Sequence, residues 1–309
     1  MPRKKQKIIT VFGGSGFLGI YLVRELAQRG HIVNIVSRSP DRALHLKTNG
    51  PTGQIVLTKG DITDDESVAR AVANADAVVD LVGILYEKGR QRFQAIHTVG
   101  AEHLAKAAKK AGAQQFIYVS ALGIAQAASS RYARTKLAGE QAVQAAFPGA
   151  IILRPSVMFG PEDNFFNQFA NLFRFAPFAP LIGGGKTRMQ PVYVGDVAKA
   201  IGEVLDHPVD GNLFELGGAK IYTLKEIFEY ILREIGRKRE FLNVPFWCAS
   251  LKAGFLELLP VPPLTRDQVK LLHTDNVVEK DAPGFRQLGI KPVAMEEIVP
   301  AYLVRYRKQ

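Results

Sequence analysis

Cysteine is almost absent: Cys248 stands alone in 309 residues. No disulfide can close within the chain, and no cysteine-rich metal site is expected. This fits a reducing compartment. Long apolar runs are missing too, since no stretch reaches the roughly 18 consecutive apolar residues that span a bilayer. The start of the chain, Met1-Pro2-Arg3-Lys4-Lys5-Gln6-Lys7, runs straight into a short apolar segment. It reads as a basic tail, because a secretory leader needs a longer apolar region and a cleavage site. Acidic residues are in deficit, 29 Asp and Glu against 40 Lys and Arg, for a net charge of +11 and a pI near 9.7. Such an excess points to solvated charge or to an acidic partner: an anionic membrane surface, an acidic protein face or a phosphorylated ligand. The basic clusters at Arg3, Lys4, Lys5 and Lys7, at Arg237-Lys238-Arg239 and at Arg305, Arg307 and Lys308 do not have the set of stacking aromatics or the recognition-helix spacing of a nucleic-acid reader, so nucleic acid is not an expected partner.

What is present is the composition of a packed α/β protein, 47% hydrophobic and 22% charged. Short β-branched and aromatic runs at 7–12, 31–37, 54–59, 77–82, 115–120 and 150–154 alternate with helical periodicity at 17–28, 64–73, 94–110 and 132–146. Nearly continuous apolar strands mark a sheet buried on both faces. The expected fold is a Rossmann-type, doubly wound parallel sheet with a smaller, mostly helical C-terminal part. Residues 1–158 would form the dinucleotide-binding domain, joined by a later core strand near 212–216, and 159–309 the smaller part. A strand is expected at 190–194, with Asp196 capping the helix after it. The region 221–309 reads as helical, with breaks at Pro260, Pro262 and Pro263.

The first strand ends in Gly13-Gly14-Ser15-Gly16-Phe17-Leu18-Gly19, a G-x-x-G-x-x-G opening a helix. Gly13 allows the tight turn, Gly16 a close approach to a pyrophosphate, and Gly19 close packing of helix on strand. Ser15, Phe17 and Leu18 complete the loop, whose helix N-terminus offers N–H groups to phosphates. About twenty residues on, at Ser37-Arg38, hydroxyl and guanidinium stand where an NAD binder places a carboxylate, so NADP(H) is expected over NAD(H). Asp61 and Ile62 after the third strand are candidates for the adenine, and Asp61 reads equally well as a cap. Leu81, Val82 and Gly83 after the fourth would line the middle of the cofactor. Tyr132 and Lys136 form a Y-x-x-x-K with both side chains on one helix face. An ammonium near the phenol would lower its pKa and let Tyr132 exchange a proton with a substrate oxygen, while Lys136 held the nicotinamide ribose.

With these motifs, Asp61, the Arg154-Pro155-Ser156-Val157-Met158-Phe159-Gly160-Pro161 segment and Gln190-Pro191-Val192-Tyr193-Val194-Gly195-Asp196-Val197, the chain resembles an atypical, extended short-chain dehydrogenase. More narrowly it is similar to the nucleotide-binding accessory subunit of respiratory complex I and its bacterial relatives. That likeness rests on Ser130-Arg131-Tyr132, Lys136, Gly139-Glu140, Ala146-Phe147-Pro148, Phe159-Gly160-Pro161-Glu162-Asp163-Asn164, Leu264-Thr265-Arg266-Asp267-Gln268-Val269 and Asp275-Asn276-Val277-Val278. The resemblance implies Pro155 and Val157 as further cofactor contacts and no metal. It also implies a place beside complex I subunits near the membrane junction, peripheral on the cytoplasmic face of a bacterial inner membrane or on the matrix side in a mitochondrion. The family's catalytic Ser or Thr falls here on Ala121, with Ser120 expected to point away and Ser129 and Ser130 in a flexible approach. Losing one such donor typically costs on the order of a hundredfold in rate. The expected function is therefore an NADP(H)-holding accessory or assembly subunit with Tyr132 and Lys136 kept as cofactor ligands. The alternatives are an NADP-dependent oxidoreductase, epimerase or dehydratase, and a nucleotide-dependent redox sensor. The apolar stretch from Phe246 to Leu259, with the single Trp247, reads either as a buried helix or as a face for a membrane or a membrane-bound partner.

Overall fold

The computed structural model describes residues 6–307, so Arg3, Lys4, Lys5 and Lys308 of the basic clusters lie outside the described residues. In chain order come β1 (Ile8–Phe12), α1 (Phe17–Gln28), β2 (Ile32–Ser37), β3 (Ile55–Lys59), α2 (Asp65–Val72), β4 (Ala77–Asp80), α3 (Ala101–Lys110), β5 (Gln115–Val119), α4 (Arg131–Ala146) and β6 (Ile151–Pro155). They are followed by β7 (Met158–Phe159), α5 (Phe165–Phe175), β8 (Phe178–Ile182), β9 (Arg188–Met189), β10 (Val192–Tyr193), α6 (Val194–Asp206) and β11 (Leu213–Leu216). The last elements are β12 (Tyr222–Thr223), α7 (Leu224–Glu234), β13 (Glu240–Val244), α8 (Phe246–Leu256), α9 (Arg266–Leu271) and α10 (Met295–Leu303).

The main sheet has seven strands in the order β11-β6-β5-β4-β1-β2-β3, all parallel. β1 leads outward through β2 to β3, and the chain then returns to β4 on the other side of β1. The strand order therefore reverses between β1 and β4, which opens a crevice at their carboxyl ends where ligands bind in such sheets. The strands are apolar on both sides because both sides are covered. One face packs Ile9, Val11, Ile35 and Val79 against Leu22 and Leu26 of α1 and Val197 and Ile201 of α6. The other packs Phe12, Val36 and Phe116 against Val68, Leu104 and Val143 of α2, α3 and α4. A third cluster, built on Phe166, Phe173, Phe228, Ile231 and Val299, gives the C-terminal part its own core.

Several local expectations need correction. The helix expected over 94–110 begins with a π-helical segment, Gln94–Gly100, of the kind often found at functional sites. The strand at 190–194 shrinks to β10, and α6 already starts at Val194, so Asp196 sits inside the first turn and accepts from Val293 N–H rather than capping. The region after 221 is not simply helical, because β13 pairs in parallel with β8. Strand pairing across some sixty residues leaves no local periodicity to read.

Candidate functional site

The glycine turn lies at the β1 end of the crevice. Gly13 has φ +79, and a Cβ there would lie 3.2 Å from the Leu81 carbonyl carbon. A Cβ on Gly19 would lie 2.5 Å from the Gly14 backbone, so α1 sits directly on the loop. Gly16 is the N-cap of α1, no side chain caps that helix, and its first turn holds no acid. By contrast Asp64, Ser130, Thr223 and Thr265 cap α2, α4, α7 and α9 with their own side chains. No side chain takes the first-turn N–H groups of α1, as is also true of α6 and α8; at α1 these groups open from a glycine turn, an arrangement that fits a pyrophosphate.

At the end of β2, Ser15 Oγ donates to Ser37 Oγ at 3.2 Å, and Ser37 Oγ accepts from Ser39 N–H. Arg38 is exposed, and its guanidinium donates to the side-chain oxygen of Gln91. Asp61 closes a local turn by accepting from both the N–H and the hydroxyl of Thr63, while Asp64 takes the cap of α2. Ile62 buries its side chain in the core beside Phe12 and Ile96. Leu81 N–H donates to Phe12 and Val82 N–H to the Asp80 carboxylate, which sets the strand end that runs through Gly83.

Tyr132 and Lys136 come from the first two turns of α4. Lys136 is buried, with Nζ donating to the Val119 carbonyl at 2.7 Å and lying 4.2 Å from the Tyr118 ring centroid. Burial pulls its ammonium down to about 8, against the pull of the Asp80 and Glu140 charges. The expected lowering of the phenol is reversed: burial pushes Tyr132 up to about 12. The ammonium is engaged by a carbonyl and by the field of Asp80, and the phenol's ring packs edge-on to His97 and Phe93. Ala121 and Tyr132 both pack against a small apolar cluster of Ile124, Ala127 and Ala133, so the chain brings a methyl group and no hydroxyl to that cluster at position 121. Ser120 is buried and its Oγ makes no hydrogen bond. Ser130 is not in a flexible approach. It is fully buried, accepts from Ala133 N–H as the cap of α4, and donates to Asp267. Pro155 accepts from Leu122 N–H, and Val157 N–H donates to Asn276 Oδ1.

Four neighbours of this site escaped the sequence reading. Asp80, buried at the end of β4, uses Oδ1 for Val82 N–H while Oδ2 makes no hydrogen bond, and burial raises its carboxyl to about 6 against the pull of Lys136. Asn276 joins three segments, donating to Leu122 O at 2.7 Å and accepting from Ser156 and Val157. Asp267 caps α4 from across the chain. Asp80 was visible as an acid within an apolar strand, and Asp267 and Asn276 only as members of segments that carry the family likeness. The fourth is His97, in the π-helical segment and fully buried. Its Nε2 accepts from Ile84 N–H at 3.0 Å, which leaves Nδ1 as the donor to Thr135 Oγ1 at 3.1 Å.

Burial, and then the charge of Lys136, pushes His97 down from 6.5 to about 3. A depressed imidazole binds fewer protons folded than unfolded, so its stabilising contribution is present above about 6.5 and lost as the pH falls toward 3. Asp80 acts in the opposite sense, its contribution being lost as the pH rises through about 6. Comparing wild type with His97→Gln cancels that shared part. Between pH 7.5 and 5 the wild type is expected to lose about 2 kcal/mol more unfolding free energy than the variant. Urea denaturation at the two pH values checks this, and equal losses would show that His97 is not held neutral.

In the C-terminal part, α8 buries only Ala249 and Ala253. Trp247, Leu251 and Phe255 recur every four residues on one face, 71%, 56% and 69% exposed, and Leu258 continues the stripe at 83%. The reading of 246–259 as a buried helix is thus excluded for most of its side chains. No described helix is long and apolar enough to cross a membrane.

Residues 9–217 match the NAD dependent epimerase/dehydratase family. The mitochondrial NADH dehydrogenase [ubiquinone] 1 alpha subcomplex subunit 9 of Arabidopsis thaliana is 38% identical, covering 97% of this chain and 78% of its own. The mitochondrial NADH-ubiquinone oxidoreductase 40 kDa subunit of Neurospora crassa is 34% identical, covering 96% and 79%. Among solved structures, the dTDP-glucose 4,6-dehydratase DesIV of Streptomyces venezuelae, determined with NAD and TYD bound, superposes with a TM-score of 0.72 at 19% identity, covering 97% of this chain and 96% of that one. The turn, the strand order and the matched span agree, and this chain belongs to the NAD dependent epimerase/dehydratase family, with the respiratory-chain subunits among its relatives.

Proposed function

We propose that this protein holds NADP(H) as a structural cofactor within an accessory or assembly subunit of respiratory complex I, with little or no turnover. One observation carries the reading: in a cleft with an uncapped glycine turn, Ala121 stands at the place of the family's catalytic hydroxyl, on the same apolar cluster as Tyr132, whose phenol is raised to about 12. Such a cleft binds a dinucleotide but has no donor there to polarise a carbonyl. Ser37 and Arg38 favour the 2′-phosphate of NADP(H) over NAD(H). In this reading residues 1–158, with the strand near 212–216, hold the nucleotide and 159–309 dock. The Trp247–Leu251–Phe255 stripe meets complex I subunits near the membrane junction, with the protein peripheral on the cytoplasmic face of a bacterial inner membrane or the matrix side of a mitochondrial one. Similarity to the alpha subcomplex 9 and 40 kDa subunits supports that choice of partner.

Gentle purification from native membranes tests this. NADP(H) retained through washing and co-purifying complex I subunits are expected, and a Trp247→Ser, Phe255→Ser double variant should lose the subunits while keeping the nucleotide. A protein that arrives alone and exchanges nucleotide quickly would overturn the reading. Binding of the stripe to anionic vesicles with no subunit retained would assign that face to lipid instead.

A further inference from the structure

We propose that Asp267 is the positioning residue for the nicotinamide half of the nucleotide site, so that the C-terminal part of the chain sets how firmly that half is held. The inference rests on reading the crevice as an NADP(H) site. Asp267 lies on α9, yet its carboxylate reaches the N-terminus of α4. Oδ1 accepts from Arg131 N–H at 2.7 Å, and Oδ2 accepts from Ser130 Oγ at 2.7 Å and Tyr132 N–H at 3.0 Å. Ser130 in turn accepts from Ala133 N–H. Three first-turn N–H groups that a helix leaves without partners are thereby satisfied, two of them by a residue more than 130 positions away. The negative charge also complements the positive end of the α4 dipole. These three hydrogen bonds go to neutral donors at one helix end, so the carboxylate orders that turn rather than forming an ion pair. That turn holds the backbone of Tyr132, and one turn on lies Lys136.

α9 is itself held in place. Thr265 and Gln268 form a capping box at its start, and Glu257, just past the end of α8, accepts from Arg266 N–H at 2.7 Å. Ala249, Ala253 and Val269 pack the two helices together. Without Asp267, the first turn of α4 loses its cap from the partner helix, Tyr132 and Lys136 gain freedom, and a ligand must order them again on binding. The glycine turn and the Ser37–Arg38 end belong to other elements and keep their geometry.

That division sets the test. In full-length Asp267→Asn, where an amide nitrogen faces N–H donors, the dissociation constant for NADPH is expected to rise about fivefold, the size of one lost helix cap. The constant for adenosine 2′,5′-bisphosphate, which lacks the nicotinamide half, should stay within twofold of wild type. Ser130→Ala, which removes the other member of the same cap, should reproduce the split if Asp267→Asn does not fold. Unchanged NADPH binding in either variant overturns the proposal, and so does an equal loss for the fragment, which would mark a merely structural role. Wild-type protein that binds the bisphosphate but not NADPH would remove the underlying reading of the cleft, a result seen before any variant is made.

Discussion

Gly19→Ala is expected to weaken NADPH binding by on the order of a hundredfold while leaving the far-UV spectrum of the chain intact. The new Cβ would stand 2.5 Å from the Cα, carbonyl carbon and oxygen of Gly14, all backbone atoms with no rotamer to retreat into. Loop and helix must therefore separate, and the uncapped N–H groups of α1 move relative to the rest of the crevice. Binding to a preorganised cradle is sensitive to shifts of this size, because each phosphate contact depends on fixed N–H directions. Stability should change much less than affinity, since Leu18, Leu22 and Leu26 keep their apolar environment when the helix shifts slightly. Fluorescence titration with NADPH decides the matter. Affinity within threefold of wild type would mean that this turn does not hold the pyrophosphate.

Gly139→Ala carries the second large effect, on stability. A Cβ at this point of α4 would overlap the His97 carbonyl oxygen and approach the Tyr118 hydroxyl to 2.7 Å. Those two groups are hydrogen-bonded to each other at 3.1 Å, and both residues are fully buried. Overpacking of this kind typically costs 1–3 kcal/mol, and because both neighbours are rigid the loss should lie near roughly 3 kcal/mol. Intrinsic propensity predicts the opposite, since alanine in a helix interior is favoured over glycine by about 1 kcal/mol. The sign of the change therefore separates the two accounts. A lower urea midpoint with an unchanged slope supports the close approach of α4 to the π-helical segment, whereas a higher midpoint would refute it. The same contact seats Tyr118, whose ring lies under the Lys136 ammonium, so the variant should also bind NADPH less well.

The alternation of apolar strands with amphipathic helices was legible in the sequence, because a parallel sheet buried on both faces writes its pattern into each segment separately. α1 spans Phe17–Gln28, the segment with helical periodicity in the sequence, and β11 returns to the sheet within the 212–216 segment. The glycine turn and the shared helix of Tyr132 and Lys136 were legible for a related reason: both are set by spacing along the chain. What Lys136 does to Tyr132 was not, because helical spacing brings the two side chains to one face but says nothing of the Val119 carbonyl and Asp80, which draw the ammonium, or of the burial that raises the phenol.

The sequence by itself thus determined the parallel sheet and the glycine turn at the end of β1, since both follow from local period and from a turn that only glycine permits. The tertiary structure alone decided that Asp267 caps α4, that Asn276 ties Leu122 to Val157, that β13 pairs with β8, and that α8 turns Trp247 and Phe255 outward. Each of these is a contact between segments far apart in the chain, or the lack of one. Local periodicity describes which face of an element is apolar; whether another element covers that face depends on where the whole chain runs.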